Sequence, residues 1–164
     1  MKQPRRLYAA ALALAAGTAL FGLARPEPAA AQPGCQGPAS NTYINVVVEG
    51  LRNGNGLVAV TLYADNSRKF LAKGGSLYVG RVDASAPNTR MCIHVPNPGV
   101  YAIAVYHDEN GNRKIDRGGV LGIPTEGFGF SNNPPTIASL PSFRSVRINI
   151  PRSGLTTHVK LKYP

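Results

Sequence analysis

The sequence predicts an all-β fold: an antiparallel β-sandwich, immunoglobulin-like or prealbumin-like, of about seven strands with a long Gly-rich flap. Three observations point there. Short segments alternate apolar and polar side chains with period two, the signature of a strand with one buried face. Turn formers punctuate them, since the 164 residues include 18 Gly and 14 Pro, more than a helical domain of this size uses. Hydrophobic residues make up 43% with no Trp, which suits one folded domain rather than a disordered, collagen-like or multi-span membrane chain.

In chain order, residues 42–51 set Ile44, Val46 and Val48 on one side against Asn45, Val47 and Glu49 on the other. Arg52-Asn53-Gly54-Asn55-Gly56 then supplies residues tolerant of positive φ, and residues 57–63 turn Val58, Val60 and Leu62 inward, so the two segments are expected to pair as a hairpin. Residues 65–73 can hold one helical turn around Phe70 and Leu71. Residues 77–82 and 90–95 read as strands separated by Ser85-Ala86-Pro87-Asn88. After the turn Pro96-Asn97-Pro98-Gly99, residues 100–107 form a nearly continuous apolar run, which suits a central strand. Two strands close the chain: Val146, Ile148 and Ile150 alternate with Arg147 and Asn149, and Val159, Leu161 and Tyr163 alternate with His158, Lys160 and Lys162. No internal repeat is present. The domain is expected over 42–164, preceded by a tail over 32–41.

Residues 1–31 carry an address. Lys2, Arg5 and Arg6 precede an Ala/Leu-rich run over 7–23, and Ala29-Ala30-Ala31 stands before Gln32, the order of a cleaved secretory signal. The run is shorter and richer in Ala than a spanning helix of about 20 apolar residues. A secreted or periplasmic protein follows, cleaved near Ala31/Gln32 and without stable membrane insertion afterwards. Arg5-Arg6 also admits a twin-arginine route.

Without that leader, 14 basic residues face 7 acidic ones. An anionic envelope glycan or a protein partner suits such a surface. Nucleic acid does not, because the basic residues scatter from Arg52 to Lys162 without a stripe of interleaved aromatics. Cys35 and Cys92 are a disulfide candidate in an oxidising compartment, against the alternative of two free thiols. Closing a loop of that length contributes about 4 kcal/mol on a chain-entropy account. Gln32-Pro33-Gly34 does not supply the Leu-rich box that a lipoprotein would need before Cys35.

Residues 108–144 are too long for a connector, yet Leu121, Ile123, Phe128, Phe130, Ile137, Leu140 and Phe143 call for burial. A packed flap is expected. It opens on His107-Asp108-Glu109-Asn110-Gly111-Asn112-Arg113-Lys114-Ile115-Asp116, which spaces Asp108, Asn110, Asn112 and Asp116 at positions 1, 3, 5 and 9 of a looped calcium motif. The Lys114 backbone carbonyl falls at position 7, and Glu126 can return as a further ligand if the flap folds back. Arg113 stands where an EF-hand needs Gly and Gly119 where it needs Glu, so this is not an EF-hand. The alternative is a solvated Asn/Gly turn. Phe128 and Phe130, with Asn132, are candidates for a ligand platform, or else pin the flap to the sandwich.

No nucleophile elbow, zinc-binding His pair or paired C-x-x-C occurs, and the three histidines lie far apart in sequence. Neighbouring His107 and Asp108 would point to opposite faces of a strand and make a poor dyad. No catalytic residue is assigned.

YAIAVYHDENGNRKID at 101–116, GIPTEGFGFSNN at 122–133 and the segment 46–63 together resemble the bacterial exported domain-of-unknown-function family 2141, over nearly all of 42–162. The resemblance implies a small, exported, β-sandwich-like domain without an established activity, and it carries over no catalytic residue. Many members similar to this chain have Gly where Arg113 stands. The expectation is therefore an exported, non-enzymatic envelope or periplasmic module with the 108–133 flap as its binding surface. The alternatives are a hydrolase-like enzyme with its site under the flap, or a purely structural module.

Overall fold

The computed structural model describes residues 34–118, 122–136 and 140–164. The leader expected over 1–31, together with Leu121 and Ile137, lies outside them. Ten strands and one helical turn follow in order: β1 (Thr42–Glu49), β2 (Leu57–Ala64), β3 (Tyr78–Asp83), β4 (Asn88–Val95), β5 (Gly99–Asp108), β6 (Arg117–Gly118), β7 (Ile123–Pro124), β8 (Phe128–Phe130), α1 (Phe143–Val146), β9 (Arg147–Ile150) and β10 (Leu155–Lys160). The small sheet has the order β10-β1-β4, and the large sheet runs β3-β2-β5-β8 with β9 also on β5. β8 and β9 share one edge of β5, at Ala104–Tyr106 and Gly99–Ala102 respectively.

The period-two pattern explains the sandwich. Ile44, Val46 and Val48 of β1 and Met91, Ile93 and Val95 of β4 point from the small sheet into one core. Val58, Val60 and Leu62 of β2 and Ile103 and Val105 of β5 meet them from the large one. Each of these side chains contributes about 1.5–3 kcal/mol by leaving water.

Two expectations are corrected. β1 and β2 do not form a hairpin: β1 pairs with β4 and β10, and β2 with β3 and β5. Both strands carry one strongly apolar face, and facing each other across the sandwich buries both faces, whereas a hairpin would have set them side by side in one sheet. Residues 50–56 are therefore a crossover, begun by the Gly50 and Leu51 amides, which both donate to the Pro87 carbonyl at 3.0 Å. The sandwich is also not wholly antiparallel, because β10 runs parallel to β1. After β9 the chain crosses to the opposite sheet instead of turning back beside its neighbour. Residues 65–73 form successive turns, including one i to i+4 bond from the Phe70 amide to the Asn66 carbonyl at 3.2 Å, in place of an assigned helix.

Both open sides of the sandwich are closed. On one, the tail lies along β4, with the Gln36 amide donating to the Cys92 carbonyl at 2.8 Å and the His94 amide to the Gln36 carbonyl at 2.9 Å. Cys35 and Cys92 are disulfide-bonded there, with Cα atoms 4.5 Å apart. On the other side, Lys162 and Phe128 exchange backbone bonds of 2.9 Å, joining the end of the chain to β8.

The large sheet is buried on its outer face as well. The cross-strand register places Arg81, Ala59, Tyr106 and Phe128 in one outer row and Val79, Thr61, Ala104 and Phe130 in the next. Tyr63, Ala102, Phe130 and Val146 form a second apolar cluster on that face, with Phe70, Phe128 and Phe143 packed against it. The 65–75 loop is held over the cluster by Arg147, whose guanidinium donates to both Asp65 oxygens at 2.8 and 2.7 Å.

Candidate functional site

Two features of the flap carry chemistry: an oxygen-rich clamp where β5 ends, and a cavity between the flap and the outer face of the large sheet.

The clamp begins at Asp108, which is completely buried. One carboxylate oxygen accepts the Asn112 amide at 3.0 Å and the other accepts the Arg113 amide at 2.7 Å. The Asn110 side-chain oxygen accepts the Asn112 amide at 3.0 Å, and the Asn112 side-chain oxygen accepts the Lys114 amide at 2.8 Å. Asp116 accepts the side-chain amides of Asn110 at 2.7 Å and Asn112 at 2.9 Å. Glu126, also buried, closes the figure, taking the Glu109 amide on one oxygen at 3.1 Å and the Asp116 amide on the other at 3.0 Å. Charge-assisted bonds of this kind are the strong ones, and leaving the buried Asp108 or Glu126 carboxylate unpaired costs about 1–3 kcal/mol or more.

Two backbone positions make the loop possible. Arg113 has φ 65°, the left-handed conformation that Gly holds at the sixth position of an EF-hand loop. Gly56, at φ 66°, passes beneath, where an added Cβ would lie 2.0 Å from the Asp108 carbonyl oxygen. Burial pushes the Glu126 carboxyl above its ordinary value. The Asp116 and Glu109 amides counter part of that shift, while the charges of Asp116 and Asp108 add to it. At Glu109 burial also raises the carboxyl, but the Asn53 and Arg52 hydrogen bonds and the Arg52 charge outweigh it and hold the group below its ordinary range.

All six residues expected to bind metal, Asp108, Asn110, Asn112, Lys114, Asp116 and Glu126, thus lie in or against one loop. Among the described residues no three His, Cys, Asp or Glu side chains are grouped as a metal shell. Calcium would need the mixed oxygen set instead, with the Asn110 and Asn112 amides rotated to turn oxygen rather than nitrogen towards Asp116. His107 takes no part. Its Nε2 donates to the Asn55 carbonyl at 2.8 Å, which leaves Nδ1 to accept the Tyr163 hydroxyl at 2.7 Å. His158 pairs with Glu49 at 2.6 Å on the surface, and His94 is buried on β4.

The cavity encloses about 270 Å3. Its floor is made of small residues of the large sheet, Thr61 and Ala104, and its walls of Tyr63, Tyr106, Phe128 and Phe130. Arg117, Ile115 and Pro124 enter from the flap, and Leu71 and Leu140, both exposed, stand at its rim. Phe128 and Phe130 meet edge to face with ring centroids 6.0 Å apart. They therefore both pin the flap and face the cavity. Asn132 pins the flap without lining the cavity, since its side-chain amide donates to the Arg147 carbonyl at 2.7 Å and fastens the turn after β8 to β9.

Reasoning from the sequence missed Tyr106, Arg117 and Arg81. Alternation along 77–82 and 100–107 places Arg81 and Tyr106 on outer faces, but only the register brings them into one row.

The family model described as an uncharacterized protein conserved in bacteria (DUF2141) matches residues 46–158, which include the clamp, the cavity and both sheets. No curated protein and no solved structure matches the chain.

Proposed function

The chain belongs to this family of uncharacterized proteins conserved in bacteria, and from that premise we propose that it is an exported, non-enzymatic module of the envelope or periplasm whose 108–133 flap is a binding surface stiffened by calcium. The observation that carries the reading is the fixing of the flap's first loop, 109–116, by two buried carboxylates, Asp108 and Glu126, beside an aromatic cavity. A surface held in this way is preorganised, so little ordering entropy opposes binding. The Cys35–Cys92 disulfide supports an oxidising compartment. Among the described residues no helix is long and apolar enough to cross a membrane. The excess of basic residues supports an anionic envelope glycan or a protein partner as the wider binding context.

Calcium is supported by the spacing of the Asp108, Asn110, Asn112 and Asp116 oxygens and by the left-handed Arg113. Thermal unfolding in calcium and in chelator tests it. A ligand that binds only the folded state, at a hundred times its dissociation constant, contributes about 2.7 kcal/mol, a rise of several degrees. The wild type is expected to show that rise and Asp116→Ala to lose it. A wild-type midpoint indifferent to calcium removes the metal and leaves a self-sufficient hydrogen-bonded clamp.

A further inference from the structure

The flap cavity has a property that its apolar walls do not explain. Among the described residues the cation–carboxylate pairs are Arg52–Glu109 and Arg147–Asp65, and His158 hydrogen-bonds Glu49. None of them lies at the cavity. Two arginines, Arg117 in its lining and Arg81 beside Tyr106, have no carboxylate among the described residues. Arg117 lines the cavity and donates one nitrogen to the Gly122 carbonyl at 3.0 Å. Arg81 stands in the same outer row as Tyr106, with one terminal nitrogen 3.4 Å from the Tyr106 hydroxyl and 3.3 Å from the Arg113 carbonyl. Its Nε is buried without any partner. That nitrogen has no surface a ligand could reach, so what Arg81 offers the cavity is the terminal nitrogen beside the Tyr106 hydroxyl.

Size and shape narrow the ligand. The volume corresponds to about nine water molecules, the room taken by an acid of about eight carbons. The Ala and Thr floor admits an alkyl chain or a ring, and the aromatic walls contact it on two sides. We infer that the cavity between the flap and the large sheet binds a small, mostly apolar monocarboxylate, its chain over Ala104 and against Phe128 and its carboxylate at the mouth between Arg117 and the Tyr106–Arg81 pair. The inference rests on the reading of the flap as a binding surface and deepens it by naming the ligand class.

Calorimetric titration of the purified protein with sodium octanoate and, separately, with 1-octanol tests the two levels independently. Octanoate binds at one equivalent and at least about tenfold more tightly than octanol, the discrimination expected of a hydrogen bond to a charged group. Arg117→Gln removes that preference by weakening octanoate to the level of octanol. Phe128→Ala weakens both ligands together. If octanoate and octanol bind equally and Arg117→Gln changes neither, the anionic class is wrong while the binding surface stands. If neither binds, the monocarboxylate proposal is overturned, while a glycan or protein partner of the flap is untouched by that result. A protein that sediments as a dimer and binds neither gives the face to a second copy of the chain.

Discussion

The two faces of β5 are packed by different rules. On the inner side Ile103 and Val105 lie in a continuous aliphatic core supplied by both sheets, with Val58, Val60, Ile93 and Val95 fully buried around them. On the outer side Ala102, Ala104 and the neighbouring Thr61 are small, and the covering groups are aromatic rings and a flap held by hydrogen bonds. The inner face is filled by these fully buried side chains, whereas the outer face keeps a cavity. The difference shows how one strand serves two purposes: large β-branched residues fix the sandwich, and small residues on alternate positions set a floor that a separate segment roofs over.

Truncating one large side chain on each face measures how much stability that face carries. Ile103→Ala removes a fully buried side chain and is expected to cost about 2–5 kcal/mol, because the surrounding core cannot collapse into the gap. Phe128→Ala, half-buried beside an existing cavity, is expected to cost about 1–2 kcal/mol despite the larger truncation. Urea unfolding of both variants measures the pair. Equal losses would show that the outer cluster carries the fold as much as the inner one does.

The roof is next. Asp108→Asn keeps the volume but replaces one acceptor oxygen with a donor facing the Asn112 or Arg113 amide. It is expected to cost about 1–3 kcal/mol. Amide exchange should accelerate over residues 109–118 while β2 and β5 stay protected. Loss of protection in both sheets together would mean that the flap and sandwich unfold as one unit.

These regions were not equally legible in the sequence. Inner faces of strands follow from alternation alone, and Ile44, Val46, Val48, Val58, Val60 and Leu62 all lie where period two puts them. Pairing does not follow from alternation, since an Asn/Gly segment serves a crossover as well as a turn, and so 50–56 misled. The clamp was half visible. The spacing of Asp108, Asn110, Asn112 and Asp116 is local and readable, and Glu126 was identified as the residue that could return. That Arg113 would adopt the left-handed conformation was not readable, because the fixing groups, the Asp108 carboxylate and the Arg81 guanidinium, act across the loop and from another strand. The cavity was not legible at all, because Thr61 and Ala104 become a floor only once the register sets them side by side.

The smallest effect asks how dry the outer cluster is. Burial raises the Tyr63 hydroxyl above its ordinary value on the outer face, and burial raises Tyr78 where it packs against the inner core. For an acid raised in the folded state, the unfolded chain gives up its proton first as pH passes about 10, so stability is unaffected below that point and falls above it. Tyr63→Phe is therefore expected to be nearly neutral at pH 7 and to lose less stability than the wild type as pH rises above about 10. Tyr78→Phe shows the same alkaline relief on top of a loss of about 1 kcal/mol at every pH, because the Tyr78 hydroxyl donates to the His94 carbonyl. Phenolate absorbance of the folded protein separates the two sites. Should Tyr63 titrate at an ordinary value while Tyr78 does not, water reaches the outer cluster, and a ligand entering the cavity displaces solvent rather than filling an apolar void.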